Sequence, residues 1–81
     1  MYETTIGVDG MMCDMCEIHI QDKIRKDFDV QKVKANRNKK QAVVISESPL
    51  DEQAVKASIE ETGYEFTGFA SKPYKKKGLF H

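Results

Sequence analysis

Cys13 and Cys16 are the two cysteines of the chain, and they stand three positions apart between a β-prone stretch and a helical one. A Cys-x-x-Cys pair placed this way can hold a soft metal ion or carry out thiol–disulfide exchange. In both chemistries the thiolate is the reactive form, so the site must favour ionised sulfur. Cys16 falls in the expected first turn of a helix, where unpaired N–H groups and the helix dipole lower a thiol pKa. Asp14 and Glu17 act in the opposite direction. Soft thiolates select Cu(I), Zn(II) and related ions. Two ligands suit Cu(I), whereas Zn(II) prefers four and would have to enlist Asp14, His19, water or a second molecule. Two protein ligands on an exposed loop also leave room for a partner's thiolate, as a carrier requires.

Several neighbours are accessory candidates. His19, three residues beyond Cys16, can share a helix face with it. It is either a third ligand that favours Zn(II) or a higher-coordinate Cu(I), or a solvent-facing polar residue, and we favour the last. Met12 and Met15 offer thioethers to Cu(I), or ring the site as an apolar docking surface; again we favour the second. Tyr64 either shields the metal or packs after a helix.

These residues need a scaffold, and the chain supplies one. Residues 2–8 alternate around Thr4, Ile6 and Val8, as a half-buried strand does. Asp9-Gly10 ends it, and Gly10 frees the backbone to turn toward the cysteines. The first helix is expected from Asp14 as N-cap, with Glu17 completing a capping box, to about Phe28. Its apolar stripe is Ile20, Ile24 and Phe28, and Asp29 is expected to close it in the left-handed region. Residues 30–36 and 41–46 read as two strands joined by a polar turn at 37–40, with Asn38 as its turn residue. Ser48 and Pro49 signal a second helix running to about Thr62, which buries Leu50, Val55 and Ile59 and stops at Gly63. Residues 64–71 form a last strand with Phe66 and Phe69 inward and a bulge at Gly68. The predicted order is strand, helix, strand, strand, helix, strand. This is an α+β split βαβ arrangement, a four-stranded antiparallel sheet with two helices on one face. Its two βαβ halves form a weak structural repeat, of which only the first carries cysteines.

With the motif and its scaffold in place, Gly10-Met11-Met12-Cys13-Asp14-Met15-Cys16, followed by Ile20 and Ile24, resembles the Gly-Met-x-Cys-x-x-Cys signature of heavy-metal-associated domains. That family comprises small copper chaperones and the N-terminal domains of metal-transporting P-type ATPases. The resemblance covers roughly residues 3–71 and implies a ferredoxin-like βαββαβ fold. It implies that Cys13 and Cys16 are the metal ligands and that Met11 is a buried plug under the loop. Gly63-Tyr64 resembles the Gly-Tyr of prokaryotic members, whose loop lies beside the metal. The chain departs from the pattern at Met12, where a small residue is frequent, at Glu17, where a small or apolar one is usual, and at His19.

Bulk properties bound the function. Eighty-one residues make one small domain, expected over residues 1–71. Residues 1–71 hold nine basic against thirteen acidic side chains, so the body is mildly acidic and unsuited to nucleic acid. Residues 72–81 hold four lysines and no acid. We read this segment as a solvated, flexible tail in preference to a lipid-binding patch. No apolar run approaches the roughly 18 residues needed to span a bilayer, and no signal segment opens the chain. A cytoplasmic protein with reduced thiols is expected.

The sequence therefore predicts a non-enzymatic metallochaperone that binds Cu(I) between Cys13 and Cys16 and passes it on by thiolate exchange. The resemblance implies a metal-transporting P-type ATPase or a metal-responsive regulator as partner, and a dimer bridged by shared metal is compatible with it. Two alternatives are carried forward. One is a Zn(II)-binding or metal-sensing module using Cys-Cys-His. The other is a thiol–disulfide oxidoreductase, although this chain is short for a thioredoxin-like fold, orders its elements differently and has no Trp or Pro beside the cysteines.

Overall fold

The computed structural model describes residues 1–74, so the lysine run 75–77 and Leu79 and Phe80 of the expected tail lie outside it. Strand β1 (Tyr2–Asp9) leads through a short loop into helix α1 (Asp14–Asp27). Strands β2 (Lys32–Asn36) and β3 (Gln41–Ser46) form a hairpin, followed by helix α2 (Glu52–Glu61) and strand β4 (Glu65–Pro73). The sheet order is β2-β3-β1-β4, and every neighbouring pair is antiparallel. This is the ferredoxin-like architecture expected from the sequence.

Strand alternation sends one set of side chains to the helical side. Ala35, Ala42, Ile6 and Phe69 lie on one cross-sheet row, and Val33, Val44, Thr4 and Ser71 on the next. Over them pack Ile20 and Ile24 of α1 and Val55 and Ile59 of α2, all four fully buried. Phe28, Leu50, Phe66 and Phe69 close the edges of this core as partly buried neighbours. The buried hydroxyls are satisfied locally: Thr4 donates to Ser71 at 3.4 Å and Ser46 to the Ser48 carbonyl at 2.6 Å.

Element ends differ from the sequence expectation where a tertiary partner wins over a local signal. Asp14 is the first helical residue of α1, and Cys13 holds the N-cap position with no side-chain cap. The Asp14 and Glu17 carboxylates are instead directed to Arg37. At its other end α1 passes at Phe28 straight into extended backbone, and Asp29 does not adopt the left-handed region. Helix α2 starts later than Ser48 and Pro49 suggest: Asp51 is its N-cap and accepts from the Ala54 N–H at 2.9 Å. In the β2–β3 turn Asn36, not Asn38, supplies the Asx side chain, accepting from the Asn38 and Lys39 N–H groups at 2.9 and 3.1 Å. Strand β4 continues through Lys72 and Pro73, paired with Glu3 and Tyr2 of β1.

The expected bulge is present beside Gly68. Gly7 pairs with Gly68 and Val8 with Phe66, which leaves Thr67 as the extra residue. A Cβ on Gly7 would lie 2.3 Å from Thr67 Oγ1 and 2.8 Å from the Gly68 nitrogen, so this crossing requires glycine.

Candidate metal centre

The loop between β1 and α1 carries the thiols. Asp9 turns the chain by accepting the Gly10 N–H at 2.9 Å. Gly10 then takes φ +104, which L side chains rarely adopt, and a Cβ there would meet Tyr64 Cδ1 at 3.2 Å. Glycine thus serves two ends, the turn and the close approach of Tyr64. Met11 is 7% exposed and belongs to the core cluster, anchoring the loop from below. Met12 and Met15 point the other way, 83% and 57% exposed, and with Ile18 leave an apolar fringe around the site.

Cys13 is exposed and Cys16 half-buried, both as free thiols, with their sulfurs 3.6 Å apart. The Cys13 carbonyl accepts from the N–H groups of Cys16 and Glu17 at 3.0 and 3.3 Å, so the first helical turn fixes the backbone of one cysteine relative to the other and leaves the side chains to adjust. The fit to a soft ion follows from bond lengths. Metal–sulfur bonds of about 2.3 Å on both sulfurs at the observed spacing subtend an angle of about 103° at the ion. A linear arrangement would need the sulfurs to separate by about 1 Å more, a movement open to Cys13 on its exposed loop.

The Cys16 thiol is lowered from the ordinary 9.0 to about 7. The largest cause is a hydrogen bond from the Tyr64 hydroxyl; backbone hydrogen bonds at Met12 and Cys13 follow, against the opposing effect of burial. The same contact pushes Tyr64 up to about 12, because its proton is held by Cys16. The helix start and the acids named from the sequence are therefore not the leading influence. A tyrosine from the loop after α2 is, and that loop turns at Gly63 with φ +93.

The acids have their own partner. The Arg37 guanidinium pairs with Asp14 Oδ1 and lies 3.5 Å from Glu17 Oε1, while the Arg37 N–H donates to Glu17 Oε2 at 2.7 Å. One turn further along α1, Gln21 Oε1 accepts the Ala35 N–H at 3.0 Å. These bonds tie the start of α1 to the β2–β3 hairpin. Arg37 was not singled out in the sequence, where it appears only as a polar turn residue. The one available signal was that two acids beside a thiolate pair call for a nearby cation.

The structure brings Cys13, Cys16 and Tyr64 together and leaves His19 exposed on α1. Among the described residues, no group of three His, Cys, Asp or Glu side chains is arranged to hold a metal ion. Also among the described residues, no helix is long and apolar enough to cross a membrane.

Comparison with known proteins places these features in context. The family model for the heavy-metal-associated domain matches residues 5–65. A copper binding domain from HMA7, a P-type ATPase, superposes with a TM-score of 0.72 at 25% identity, over 85% of this chain and 97% of that one. Oxidized MerP from Ralstonia metallidurans CH34 gives 0.68 at 28% identity, over 83% and 96%. The N-terminal domain of PacS from Synechocystis PCC6803 gives 0.67 at 29% identity, over 80% and 92%. No curated protein sequence matches the chain.

Proposed function

This chain belongs to the heavy-metal-associated domain family, and on that premise we propose that it carries Cu(I) between Cys13 and Cys16 as a metallochaperone. The observation that carries the reading is a pair of sulfurs 3.6 Å apart which, among the described residues, are not grouped with a third His, Asp or Glu side chain. Such a donor set suits an ion that accepts low coordination. The likeness to a copper binding domain of a P-type ATPase supports the choice of metal and the class of partner. A metal-responsive regulator is the other partner class for the same chemistry.

Transfer follows from the unequal exposure of the two thiols. Cys13 is open to solvent, so an incoming partner thiolate reaches the ion from its side. That thiolate forms a bond to the metal as the Cys13–metal bond breaks, and Cys13 leaves as thiolate or takes a proton from water. Cys16, half-buried and with its thiol pKa lowered to about 7 chiefly by Tyr64, holds the ion until a second partner ligand displaces it. The metal is cargo, and no bond of an organic substrate is made or broken.

Competition titration of the reduced protein with Cu(I) and with Zn(II), against chelators of known affinity, tests this. Tight one-to-one Cu(I) binding is expected, with weaker Zn(II) binding. The double variant Cys13→Ser, Cys16→Ser should keep its far-UV circular dichroism and lose Cu(I) binding; retained tight binding rejects the assignment. One observation favours a second reading: the 3.6 Å spacing also matches two corners of a tetrahedral site. Strong Zn(II) binding abolished by His19→Ala would replace the Cu(I) carrier by a Cys-Cys-His module. Turnover in an insulin-reduction assay would instead indicate an oxidoreductase.

A further inference from the structure

We propose that Arg37 sets the metal preference of the Cys13–Cys16 site by holding the Asp14 and Glu17 carboxylates away from the ion. The proposal rests on the reading of the cysteines as a Cu(I) site and names what keeps that site selective. Asp14 lies between the two cysteines in the chain, and its side chain is 81% exposed. A carboxylate there is a ready third ligand for a divalent ion, because Zn(II) binds Asp and Glu oxygen about as closely as imidazole nitrogen. Glu17, in the same turn, offers a second carboxylate.

The geometry assigns both acids elsewhere. Arg37 takes Asp14 Oδ1 on its guanidinium and stands 3.5 Å from Glu17 Oε1, and its main-chain N–H takes Glu17 Oε2 at 2.7 Å. Glu17 is thus engaged through both oxygens. The Asp14–Arg37 pair is exposed on the Asp14 side and adds little to folding stability, whereas Glu17 is the part-buried member that anchors Arg37. Arginine remains protonated throughout the usable pH range, and the arrangement therefore does not loosen as thiols titrate. The guanidinium is placed beside the site through its two partners, since Asp14 follows Cys13 and Glu17 follows Cys16 in the chain.

Charge works in the same direction as ligand sequestration. Coulomb energy is linear in charge, so a nearby cation opposes a divalent ion about twice as strongly as a monovalent one. Arg37 removes two oxygen ligands that Zn(II) would use and adds a repulsion that Cu(I) feels less. A bare thiolate pair remains.

Four forms of the full chain test this: wild type, Arg37→Met, Asp14→Asn and the double variant, each titrated with Cu(I) and Zn(II) in chelator competition. Co(II) spectra serve as a readout of coordination. Arg37→Met should bind Zn(II) about tenfold or more tightly, the scale on which neighbours of ligands act, with Cu(I) affinity little changed. Its Co(II) bands should report an added oxygen ligand. The double variant should lose that gain. An unchanged Zn(II) affinity in Arg37→Met overturns the proposal, and so does a gain that survives Asp14→Asn. If Arg37→Met does not fold, Arg37→Gln takes its place alone and combined with Asp14→Asn: a Zn(II) gain that the double variant loses supports the proposal, and unchanged Zn(II) affinity overturns it. Failure of wild type to bind Cu(I) one-to-one would instead remove the underlying reading, and is seen in the same titrations.

Discussion

At the scale of single residues, the half-buried sulfur owes the largest part of its lowered pKa to one hydroxyl. Cys16 is lowered to about 7 chiefly by Tyr64, which itself is raised to about 12. A lowered thiol pKa means that the thiolate predominates above about pH 7 and protonates below it. Tyr64→Phe keeps the ring against Gly10 and removes the donor. The Cys16 titration, followed by thiolate absorbance or by the pH dependence of alkylation, should then move upward toward the ordinary 9.0. An unshifted midpoint would assign the low value to the backbone hydrogen bonds at Met12 and Cys13. Because metal and proton compete for the same sulfur, apparent Cu(I) affinity near neutral pH should fall in this variant.

At the scale of elements, the two helices are joined by a charged cluster far from the thiols. Ser58, buried on α2, donates to Asp27 Oδ2 of α1 at 2.6 Å, and Lys23 bridges Asp27 and Glu61 at 3.0 and 2.6 Å. Asp27 is held below the ordinary carboxylate value, first by the Ser58 hydrogen bond and then by Lys23. For a depressed carboxylate the stabilisation is present above the unfolded pKa, 3.8, and is lost as pH falls through the folded value. Asp27→Asn should therefore unfold at lower urea than wild type at neutral pH, and the gap should close below about pH 3.8. A gap that is constant with pH would show that the hydrogen bond alone, and not the charge, joins the helices. This cluster also explains why α1 ends where it does: Asp27 is drawn to Ser58 and Phe28 to the core, so no left-handed cap is needed at Asp29.

At the scale of the molecule, a small core carries both the fold and the loop that presents the thiols. An 81-residue domain is expected to be stable by roughly 4–12 kcal/mol. Ile24 is fully buried among the sheet and α2. Ile24→Ala should cost about 2–5 kcal/mol, a large part of that total, measured as a drop in denaturation midpoint. A ligand that binds only the folded state restores stability by mass action. Stoichiometric Cu(I) should therefore raise the midpoint of Ile24→Ala, and should not do so when Cys13 and Cys16 are both serine. Equal midpoints with and without Cu(I) would mean that the ion does not distinguish folded from unfolded chain.

The sequence by itself determined the order of elements, the inward faces and the thiol pair, because each is written in local periodicity or in adjacent residues. Ile20 and Ile24, the alternation of Thr4, Ile6 and Val8, the even positions of β3, and Cys13 with Cys16 need no knowledge of what lies across the fold. Gly7 and Gly10 are legible as glycines, but the side chains that demand their smallness, Thr67 and Tyr64, come from distant segments, while Gly63 answers only to its own backbone angle. Tertiary structure decided the chemical setting of the site. Tyr64 approaches from a loop 48 residues after Cys16, and Arg37 from a hairpin 23 residues after Asp14. Asp14 and Glu17 form a plausible capping box until Arg37 is in place, and a charged, hydrogen-bonding partner then outcompetes the helix end. At α2 the choice is local: Ser46 donates to the Ser48 carbonyl two residues on, and Asp51 rather than Ser48 accepts the N–H three residues ahead. Local rules specify what a segment can do alone; hydrogen bonds and charges brought from distant segments select among those options.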